Sequence, residues 1–322
     1  MCTAISFNST DHYFGRTLDY DYGFDTKVVI TPRNYPFVFG GNVTVKTHYA
    51  IIGAAVVEDD YPLYFDAANE KGLCMAGLNF VGNAVYKKNV TGKDNIAQFE
   101  LLPWLLSTCS SVKEARKKLE KINITDTPFR EDLSAAPLHW MLADNTDCIT
   151  VECVKEGMRI YENRVGVLTN NPPFDIQLFL LNNFFMLTPR QPKSKRWGKA
   201  RLDVYSRGMG AMGLPGDFSS ASRFVRAAFI RNNLSVDNKD CTGAFFKMLD
   251  SVWVPCGCCV SENGLAQETY YSCCINPSKG IYSYTTNSCR QINSVDMSRE
   301  ELEKEKIIVY PFERNEKINH QN

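Results

Sequence analysis

The chain has 322 residues, 44% of them hydrophobic, and is therefore long enough to bury a large core. Its 36 basic residues balance 36 acidic residues, which gives no reason to expect nucleic acid or an anionic membrane surface as the partner. No Pro-rich, Gly/Ser-rich or single-charge stretch divides the sequence. We therefore expect one domain over residues 1–322 that acts on a small molecule.

The N-terminal segment lacks the basic start, apolar run and small-residue cleavage site of a signal peptide, and no apolar stretch is long enough to span a bilayer. These features predict a soluble, cytoplasmic protein without a membrane partner. The twelve cysteines occur in a chain large enough to need no disulfides. Most of them are expected to be small buried thiols.

Strand patterns dominate the first half of the chain. Residues 2–7 and 13–20 flank a turn-rich segment at 8–11, which predicts a hairpin that begins at the first residues. The N-terminus is therefore expected to lie in a sheet. Further strands are predicted at 27–31, 49–57, 73–80, 138–143, 148–154 and 165–169.

Helical spacing of apolar residues first appears between 96 and 122, where a polar face includes KEARKKLEK. It predicts one or two amphipathic helices with a break near Ser110. Because strands and helices do not alternate strictly, the order of elements favours an α+β layered fold over a mainly antiparallel sheet. Later helices are predicted at 174–187, 220–232 and 242–252, and strands at 269–276 and 280–286.

Cys2 directly follows the initiator methionine. Its side chain is small enough for an aminopeptidase to remove Met1 and leave Cys2 with a free α-amino group. The residue would then hold a thiol nucleophile and, in its amine, a base with a pKa of about 7.7 to 8.0. The pattern predicts an N-terminal nucleophile, although a structural cysteine is the commoner outcome for chains that begin Met-Cys.

Two charged residues of the predicted hairpin return toward the Cys2 end. Arg16 would favour the thiolate of Cys2, and Asp19 would hold and orient its ammonium group. In a regular strand, however, residues 16 and 19 point to opposite faces of the sheet. Both side chains are expected to reach Cys2 only if the strand twists or bulges, or if one acts past the strand end.

Six blocks of sequence stand out, in this order: MCT at 1–3, FGRTLDY at 14–20, NEKGL at 69–73, AGLNF at 76–80, GVLTNNP at 166–172 and GLPGDFSSASRF at 213–224. Together they resemble the choloylglycine hydrolase family, which contains bile salt hydrolases and penicillin V acylases. The resemblance implies an N-terminal-nucleophile fold of four layers, αββα, with two mainly antiparallel sheets. It also implies assembly as a homotetramer.

The resemblance assigns roles to individual residues. Cys2 matches the nucleophile, and Arg16 and Asp19 match the residues beside it. Asn79 and Asn170 match a pair that stabilises the oxyanion, where one preorganised donor is worth roughly 3 to 4 kcal/mol. Asn79 lies in a strand pattern, so its backbone N–H is the expected donor. Without the resemblance, either asparagine is typical of a turn or a cap.

The helix predicted at 220–232 carries three arginines. By pattern alone, Arg223, Arg226 and Arg231 indicate a solvated helix face, and Arg226 is as good a candidate for function as Arg223. The resemblance of the SASRF block selects Arg223 as the arginine that completes the site.

The implied reaction is hydrolysis of an amide through a Cys2 thioester. At the position of Asn79, bile salt hydrolases look Asn-like and penicillin V acylases tend toward Tyr, so the resemblance favours conjugated bile acids. A steroid group requires a broad apolar cleft, although each candidate for it is equally well interpreted as core. The candidates are Leu18, Tyr22, Phe24, Leu63, Phe65, Leu133 and Leu138. The choice between glycine and taurine conjugates stays open.

Other functions stay open as well. Penicillin V acylase would use the same machinery on another amide, a signalling-lactone acylase is a related option, and an inactive binding homologue is a third. A zinc or redox protein would use PCGCCV at 255–260 with Cys273 and Cys274, but the adjacent pair gives no standard zinc pattern. The four histidines are scattered, and His139 is typical of a satisfied core residue. We therefore expect no metal and no cofactor.

Overall fold

The computed structural model describes residues 1–40, 43–236 and 241–322. Strands account for most of the regular structure in these ranges. In chain order they begin with β1 (Cys2–Asn8), β2 (His12–Tyr20), β3 (Lys27–Thr31), β4 (Phe37–Phe39), β5 (Val43–Val45), β6 (Ile51–Glu58), β7 (Tyr61–Asn69), β8 (Cys74–Asn79), β9 (Asp94–Ala97) and β10 (Ile122–Thr125). They continue with β11 (Leu138–Ala143), β12 (Cys148–Val154), β13 (Gly157–Glu162), β14 (Val167–Leu168), β15 (Lys195–Trp197), β16 (Ala200–Leu202), β17 (Cys259–Val260), β18 (Ala266–Asn276), β19 (Ile281–Thr286), β20 (Cys289–Asp296) and β21 (Ile308–Pro311).

The α-helices are shorter and fewer than the strands. They are α1 (Leu101–Thr108), α2 (Val112–Leu119), α3 (Phe174–Leu181), α4 (Ser220–Asn233) and α5 (Thr242–Asp250). Short 3₁₀ turns lie at Asn182–Phe184, Met209–Ala211 and Met297–Arg299. In the part of the chain that the structure describes, none of the helices has the length and apolar character needed to cross a membrane.

Two large antiparallel sheets organise the fold. Sheet A has the strand order β14–β1–β2–β18–β19–β20, with β17 paired to β18. Sheet B has the order β13–β12–β11–β8–β7–β6–β3–β21. The N-terminal strand therefore lies inside sheet A, between β14 and β2, as the hairpin pattern predicts.

The two sheets stack face to face with helices on both outer faces. One buried core joins β1, β2 and β18 of sheet A to β6, β8 and β11 of sheet B and extends to α4 and α5. A second core packs α1 and α2 against the other face of sheet B. The predicted αββα layers and the α+β class are confirmed.

The helical segment predicted at 96–122 is two helices, and the expected break falls at residues 109–111. The Ser111 side chain accepts a hydrogen bond from Glu114 N and so caps the start of α2. The ends of the segment differ from the prediction, because residues 96–97 belong to β9 and Ile122 begins β10. Residues 182–187, which the periodicity assigns to a helix, leave the α-helical form after Leu181.

Strand β7 is the main element that the sequence pattern does not indicate. It contains Pro62 and ends in a polar stretch with Asp66 and Asn69, features that are uncommon in a central strand. Both polar residues are buried and hydrogen-bonded, which explains why they are tolerated there. Strands β20 and β21 at the sheet edges are also absent from the sequence prediction.

Candidate active site

Cys2 is the first residue of β1 and lies opposite Leu18 of β2 in the antiparallel ladder. Directly opposed residues share a face of the sheet, and Leu18 is part of the core between the sheets. The Cys2 side chain therefore faces this interior, where it is only 4% exposed. Its main-chain nitrogen donates to Asn170 Oδ1 over 2.7 Å. This nitrogen would become the α-amino group on removal of Met1.

Arg16 of β2 points to the same interior, toward sheet B. Its Nε donates to Thr17 O over 3.2 Å, and Nη1 donates to Phe65 O over 3.2 Å and to Gly77 O over 2.6 Å. Burial lowers the pKa of this guanidinium, but negative charge at Cys2 and other groups raises it, and the net direction is upward. Arg16 is therefore a fixed positive charge within electrostatic reach of the Cys2 sulfur.

Asp19 faces the opposite side of sheet A, toward α4. Its carboxylate accepts from Thr269 over 2.6 Å and from Thr17 over 3.3 Å, and it lies 3.8 Å from the Arg223 guanidinium. The regular pleat between residues 16 and 19 is thus retained, and the register shift at this point lies in the partner strand β18, between Thr269 and Tyr271. Arg16 therefore shares the sheet face of Cys2, whereas the Asp19 carboxylate is linked to Cys2 through Arg223.

The main chain of Asp19 extends past the end of the ladder and binds Met1. Asp19 N donates to Met1 O over 2.9 Å, and the Met1 ammonium donates to Asp19 O over 2.6 Å. The extra pair places the Met1–Cys2 peptide bond at the edge of the sheet, beside the residues that surround Cys2.

Arg223 lies in the first turns of α4, whose start is capped by the Ser219 side chain. It is fully buried and donates from Nη1 to Cys2 O over 2.6 Å and to Thr3 Oγ1 over 2.5 Å. Its Nη2 donates to Asn170 Oδ1 over 2.8 Å. Burial lowers the pKa of Arg223, and the charges of Asp19 and Cys2 oppose that shift.

The interpretation of α4 as a solvated arginine face is wrong, because all three arginines bind main-chain carbonyls. Arg226 is 9% exposed and donates to Ser251 O, Pro215 O and Asp217 O. Arg231 crosses to β1 and donates to Ser6 O. Of these side chains, Arg223 is the one hydrogen-bonded to Cys2.

Asn170 follows β14 and joins three parts of the site. Its Oδ1 accepts from both Cys2 and Arg223, while its Nδ2 donates to Asn79 O over 2.8 Å. Its main-chain nitrogen donates to Ser220 Oγ at the start of α4. The side chain is therefore held on both sides, and one hydrogen of Nδ2 is left for a further acceptor.

Asn79 is the last residue of β8 and is paired with Leu138 of β11. It is half-buried, and its carbonyl oxygen is the acceptor for Asn170 Nδ2. The structure therefore brings the two asparagines together at the point where strand β8 ends.

Most of the apolar candidates for the substrate cleft lie at or near the site, and two of them do not border it. Leu18 faces Cys2, Leu138 faces Asn79, and Phe65 accepts from Arg16 through its main chain, so these residues border the site. An aromatic group next to them includes Phe24 with its ring 5.2 Å from Phe65 and 5.1 Å from Tyr22.

Tyr22 is 54% exposed, so the aromatic group presents apolar surface to solvent. Leu63 is half-buried in β7 opposite Val56. Leu133 lies on the loop between β10 and β11 and is 40% exposed. Among the described residues, neither is linked to Cys2 by strand pairing or a hydrogen bond. Their place in the substrate cleft stays a prediction.

Sequence reasoning missed the residues that hold Asn170 in place. Gln177 of α3 donates from Nε2 to Asn170 O over 2.6 Å and to Pro172 O over 2.7 Å. The preceding residue, Thr169, is held through its carbonyl oxygen by His139. The His139 ring also bonds the Glu152 carboxylate, so His139 is a satisfied core residue, as expected. The sequence offers no signal for Gln177 beyond its position seven residues after Asn170.

The cysteines behave mainly as buried thiols. Eight of the twelve are buried, and none is assigned to a disulfide. Of the proposed zinc set, Cys256 is exposed, whereas Cys273 is buried and donates to Asp66 over 3.3 Å. Within the described ranges, no group of three or more His, Cys, Asp or Glu side chains is arranged to hold a metal ion.

Two stacked antiparallel sheets between helical layers, with a cysteine at the start of an inner strand, define the class of N-terminal-nucleophile hydrolases. The penicillin V acylase from Agrobacterium tumefaciens has the same fold, with a TM-score of 0.76 at 22% identity over 96% of this chain and 90% of that one. The chain belongs to the choloylglycine hydrolase family of linear amide C–N hydrolases, whose model matches residues 2–310.

Similar proteins cover the whole chain. A bile salt hydrolase/transferase from Lactiplantibacillus plantarum is 50% identical over 97% of each sequence. Another from Clostridium perfringens is 38% identical over 100% of both. A crystal structure of a mutant conjugated bile acid hydrolase from Clostridium perfringens has a TM-score of 0.94 at 37% identity and covers 100% of both chains. The family and enzyme class expected from the sequence blocks are confirmed.

Proposed function

We propose that this protein is a bile salt hydrolase, which cleaves the amide bond of glycine- or taurine-conjugated bile acids with Cys2 as the nucleophile. The names of its relatives at 50% and 38% identity support this substrate class. The observation that carries the proposal is the hydrogen bond of Cys2 N to Asn170 Oδ1, over 2.7 Å. A free amine at this position would have Asn170 Oδ1 as the acceptor that orients it.

The first chemical step is attack of the Cys2 sulfur on the amide carbonyl carbon. The α-amino group of Cys2 accepts the thiol proton, directly or through one water. Arg16 favours the thiolate because its fixed positive charge lies within electrostatic reach of the sulfur. Arg223 holds the Cys2 main chain, so the nucleophile does not need to reorganise when substrate binds.

The tetrahedral intermediate carries an oxyanion that needs hydrogen-bond donors. We propose the second Nδ2 hydrogen of Asn170 and the backbone N–H of Asn79 for this role, since the two residues already touch. The Cys2 ammonium then protonates the departing nitrogen of glycine or taurine, which leaves a thioester. Water, activated by the same amine, releases the bile acid and restores the thiol.

The acyl-binding surface is proposed to be the aromatic group beside Cys2. Tyr22, Phe24 and Phe65 form a continuous series of ring contacts, with centroid distances of 5.1 Å and 5.2 Å. Apolar surface of this kind suits a sterol, which binds mainly through contact area. Leu18 and Leu138 extend it toward Cys2 and Asn79.

The test combines intact-mass analysis with turnover of glycocholate, taurocholate and penicillin V. Active enzyme should lack Met1 and should hydrolyse the bile salts faster than penicillin V. Cys2→Ser should lose activity by about 1,000-fold or more, because a serine alcohol is a poorer nucleophile at this amine's basicity. Cys256→Ser removes an exposed thiol and should keep wild-type rates. Activity with Met1 retained, or full activity of Cys2→Ser, would contradict the proposal.

We further propose that the chain assembles as a homotetramer in the cytoplasm. Eight of the twelve cysteines are buried and none is assigned to a disulfide, which is compatible with a reducing compartment. The segment 174–212 carries several large apolar side chains in solvent, an arrangement typical of a subunit contact. They include Ile176, Phe179, Phe185, Met186, Trp197, Tyr205 and Met212.

A further inference from the structure

Asp66 is a fully buried carboxylate of β7 between the two sheets. Its Oδ2 accepts from Tyr271 over 2.5 Å, and its Oδ1 accepts from Tyr282 over 2.7 Å and from Cys273 Sγ over 3.3 Å. All of these partners donate. A set of donors without an acceptor is the environment of an ionised carboxylate.

Two contacts place Asp66 beside Arg16. Cys273, which donates to Asp66, is the ladder partner of Arg16 in β18. Phe65, the residue before Asp66, accepts from Arg16 Nη1 over 3.2 Å. Burial raises the pKa of Asp66 above its usual value, while the Arg16 charge and the hydrogen bonds from Tyr271, Tyr282 and Cys273 limit that rise.

Arg16 is held independently of Asp66. Its Nε and Nη1 donate to the main-chain oxygens of Thr17, Phe65 and Gly77. Its Nη2 is buried and makes no hydrogen bond to the described residues. The guanidinium therefore has a fixed position and one unused donor group, and its charge acts on both Cys2 and Asp66.

The close packing of strands at this point keeps the arrangement rigid. A Cβ on Gly15 would lie 1.9 Å from Cys273 O, so only glycine allows β2 and β18 to approach so closely beside Arg16. The thiol of Cys2 and the guanidinium are thus carried on neighbouring strands of sheet A, and the carboxylate on a strand of the facing sheet B.

On the basis of the proposed amidase function, we infer that Asp66 acts on Cys2 through Arg16, by sharing the charge of the guanidinium with the Cys2 sulfur. With Asp66 ionised, Arg16 stabilises the Cys2 thiolate less than it would alone. A thiol that is too acidic gives a weaker nucleophile, because the nucleophilicity of a thiolate decreases as the pKa of its thiol decreases. Asp66 therefore limits how far the Arg16 charge weakens the Cys2 sulfur as a nucleophile.

Other charged and titratable groups near these residues stay unchanged in the experiment. Around Cys2 they are Arg16 and Tyr20 of β2, Arg223 of α4, with Asp19 behind it, and the processed α-amine. Around Asp66 they are Arg16, Tyr271 and Cys273 of the neighbouring strands and Tyr282 of β19. A change of Asp66 alone therefore reports on the charge that Arg16 shares.

The variant Asp66→Asn removes the charge and keeps the shape, and Asp66→Ser is a second neutral variant should the first fail to fold. Alkylation of Cys2 by iodoacetamide is followed by mass spectrometry of the N-terminal peptide from pH 5 to pH 10. The midpoint should shift by about one pH unit to lower pH in the neutral variants. The acid limb of kcat/KM for glycocholate should shift in the same direction, with KM changed less than about two-fold.

Asp66→Glu keeps the charge and serves as the matched control, so its midpoint should stay within about 0.3 units of wild type. Melting temperatures of the variants are measured as well. They distinguish a variant that does not fold from one that folds but lacks the Asp66 charge. A folded neutral variant with an unshifted midpoint overturns the inference, even if it is slower. The alkylation needs no substrate, so failure to hydrolyse bile salts would count against the proposed function and leave this test intact.

Discussion

Arg223 donates from Nη1 to the carbonyl oxygen of Cys2 over 2.6 Å, although 221 residues separate the two in the chain. The same guanidinium donates from Nη2 to Asn170, which in turn accepts from Cys2 N. One buried cation therefore fixes both ends of the Cys2 main chain, on one side directly and on the other through a shared acceptor.

Replacement of Arg223 by lysine should reduce kcat/KM for glycocholate by about 100-fold. A lysine ammonium cannot reproduce the fork that reaches Cys2 O, Thr3 Oγ1 and Asn170 Oδ1 together, and a buried acceptor left unpaired costs about 1 to 3 kcal/mol. The loss should appear mainly in kcat. Steady-state kinetics with glycocholate measures it.

Arg226→Lys is the matched control for this prediction. Arg226 lies on the same helix and is also buried, but it binds only the main chain of Pro215, Asp217 and Ser251. The control should lower the melting temperature and leave kcat within about three-fold of wild type. Equal losses of kcat in two folded variants would show that Arg223 has no special role.

Gln177 should matter for catalysis although it does not touch Cys2. Gln177→Met keeps the side-chain length but removes the donations to Asn170 O and Pro172 O. The segment that presents Asn170 then loosens, and we expect kcat to fall about ten-fold with little change in KM. The comparison is Gln191→Met, an exposed glutamine bonded to Ser206 O, which should behave as wild type. Similar kinetics for both variants would contradict a role in holding Asn170.

The sequence was informative wherever local pattern and structure agree. The strand-like runs at 2–7 and 13–20 and the turn between them predict the hairpin that carries Cys2, and α1 and α2 follow from helical spacing of apolar residues. The layers followed from the resemblance of six blocks, not from periodicity. The role of Asn170 also came from that resemblance, whereas that of Arg16 was expected from its place on the hairpin, and both stay proposals.

Contacts between distant segments could not be predicted from one sequence. Asp66 interrupts an apolar pattern, and only the two tyrosines and Cys273 from the other sheet make it acceptable as a buried residue. Arg226 resembles a surface residue because its carbonyl partners lie on loops with no regular pattern. The opposite faces of Arg16 and Asp19 were predictable, whereas α4 as the element that connects Asp19 to Cys2 was not.

Protonation of His12 should limit stability in acid. Burial lowers the pKa of His12 from 6.5 to about 4, and the charge of Asp144 opposes this shift. The unfolded chain therefore binds a proton before the folded chain does as the pH falls. The contribution of neutral His12 to the free energy of unfolding is fully present above pH 6.5. It decreases by about 3 kcal/mol as the pH falls to about 4.

The variant His12→Gln checks this origin of the acid sensitivity. It should be less stable than wild type at pH 7, because the bond between His12 and Ser6 Oγ is changed, but its melting temperature should depend less on pH between 6.5 and 4. His320→Gln, in the exposed C-terminal segment, should keep the wild-type slope. An unchanged slope in His12→Gln would assign the acid sensitivity to other groups.

The exposed apolar side chains of segment 174–212 should control assembly. Phe179 and Phe185 are 74% and 80% exposed in the single chain, so replacing both by serine removes little from its own core. A specific interface usually buries more than about 1,000 Å², and loss of two large aromatic rings should shift the proposed tetramer toward single chains. Light scattering measures this shift, with Ile318→Ser, an equally exposed residue elsewhere, as the control. A double variant that keeps the wild-type mass at micromolar concentration would place the subunit contact on another surface.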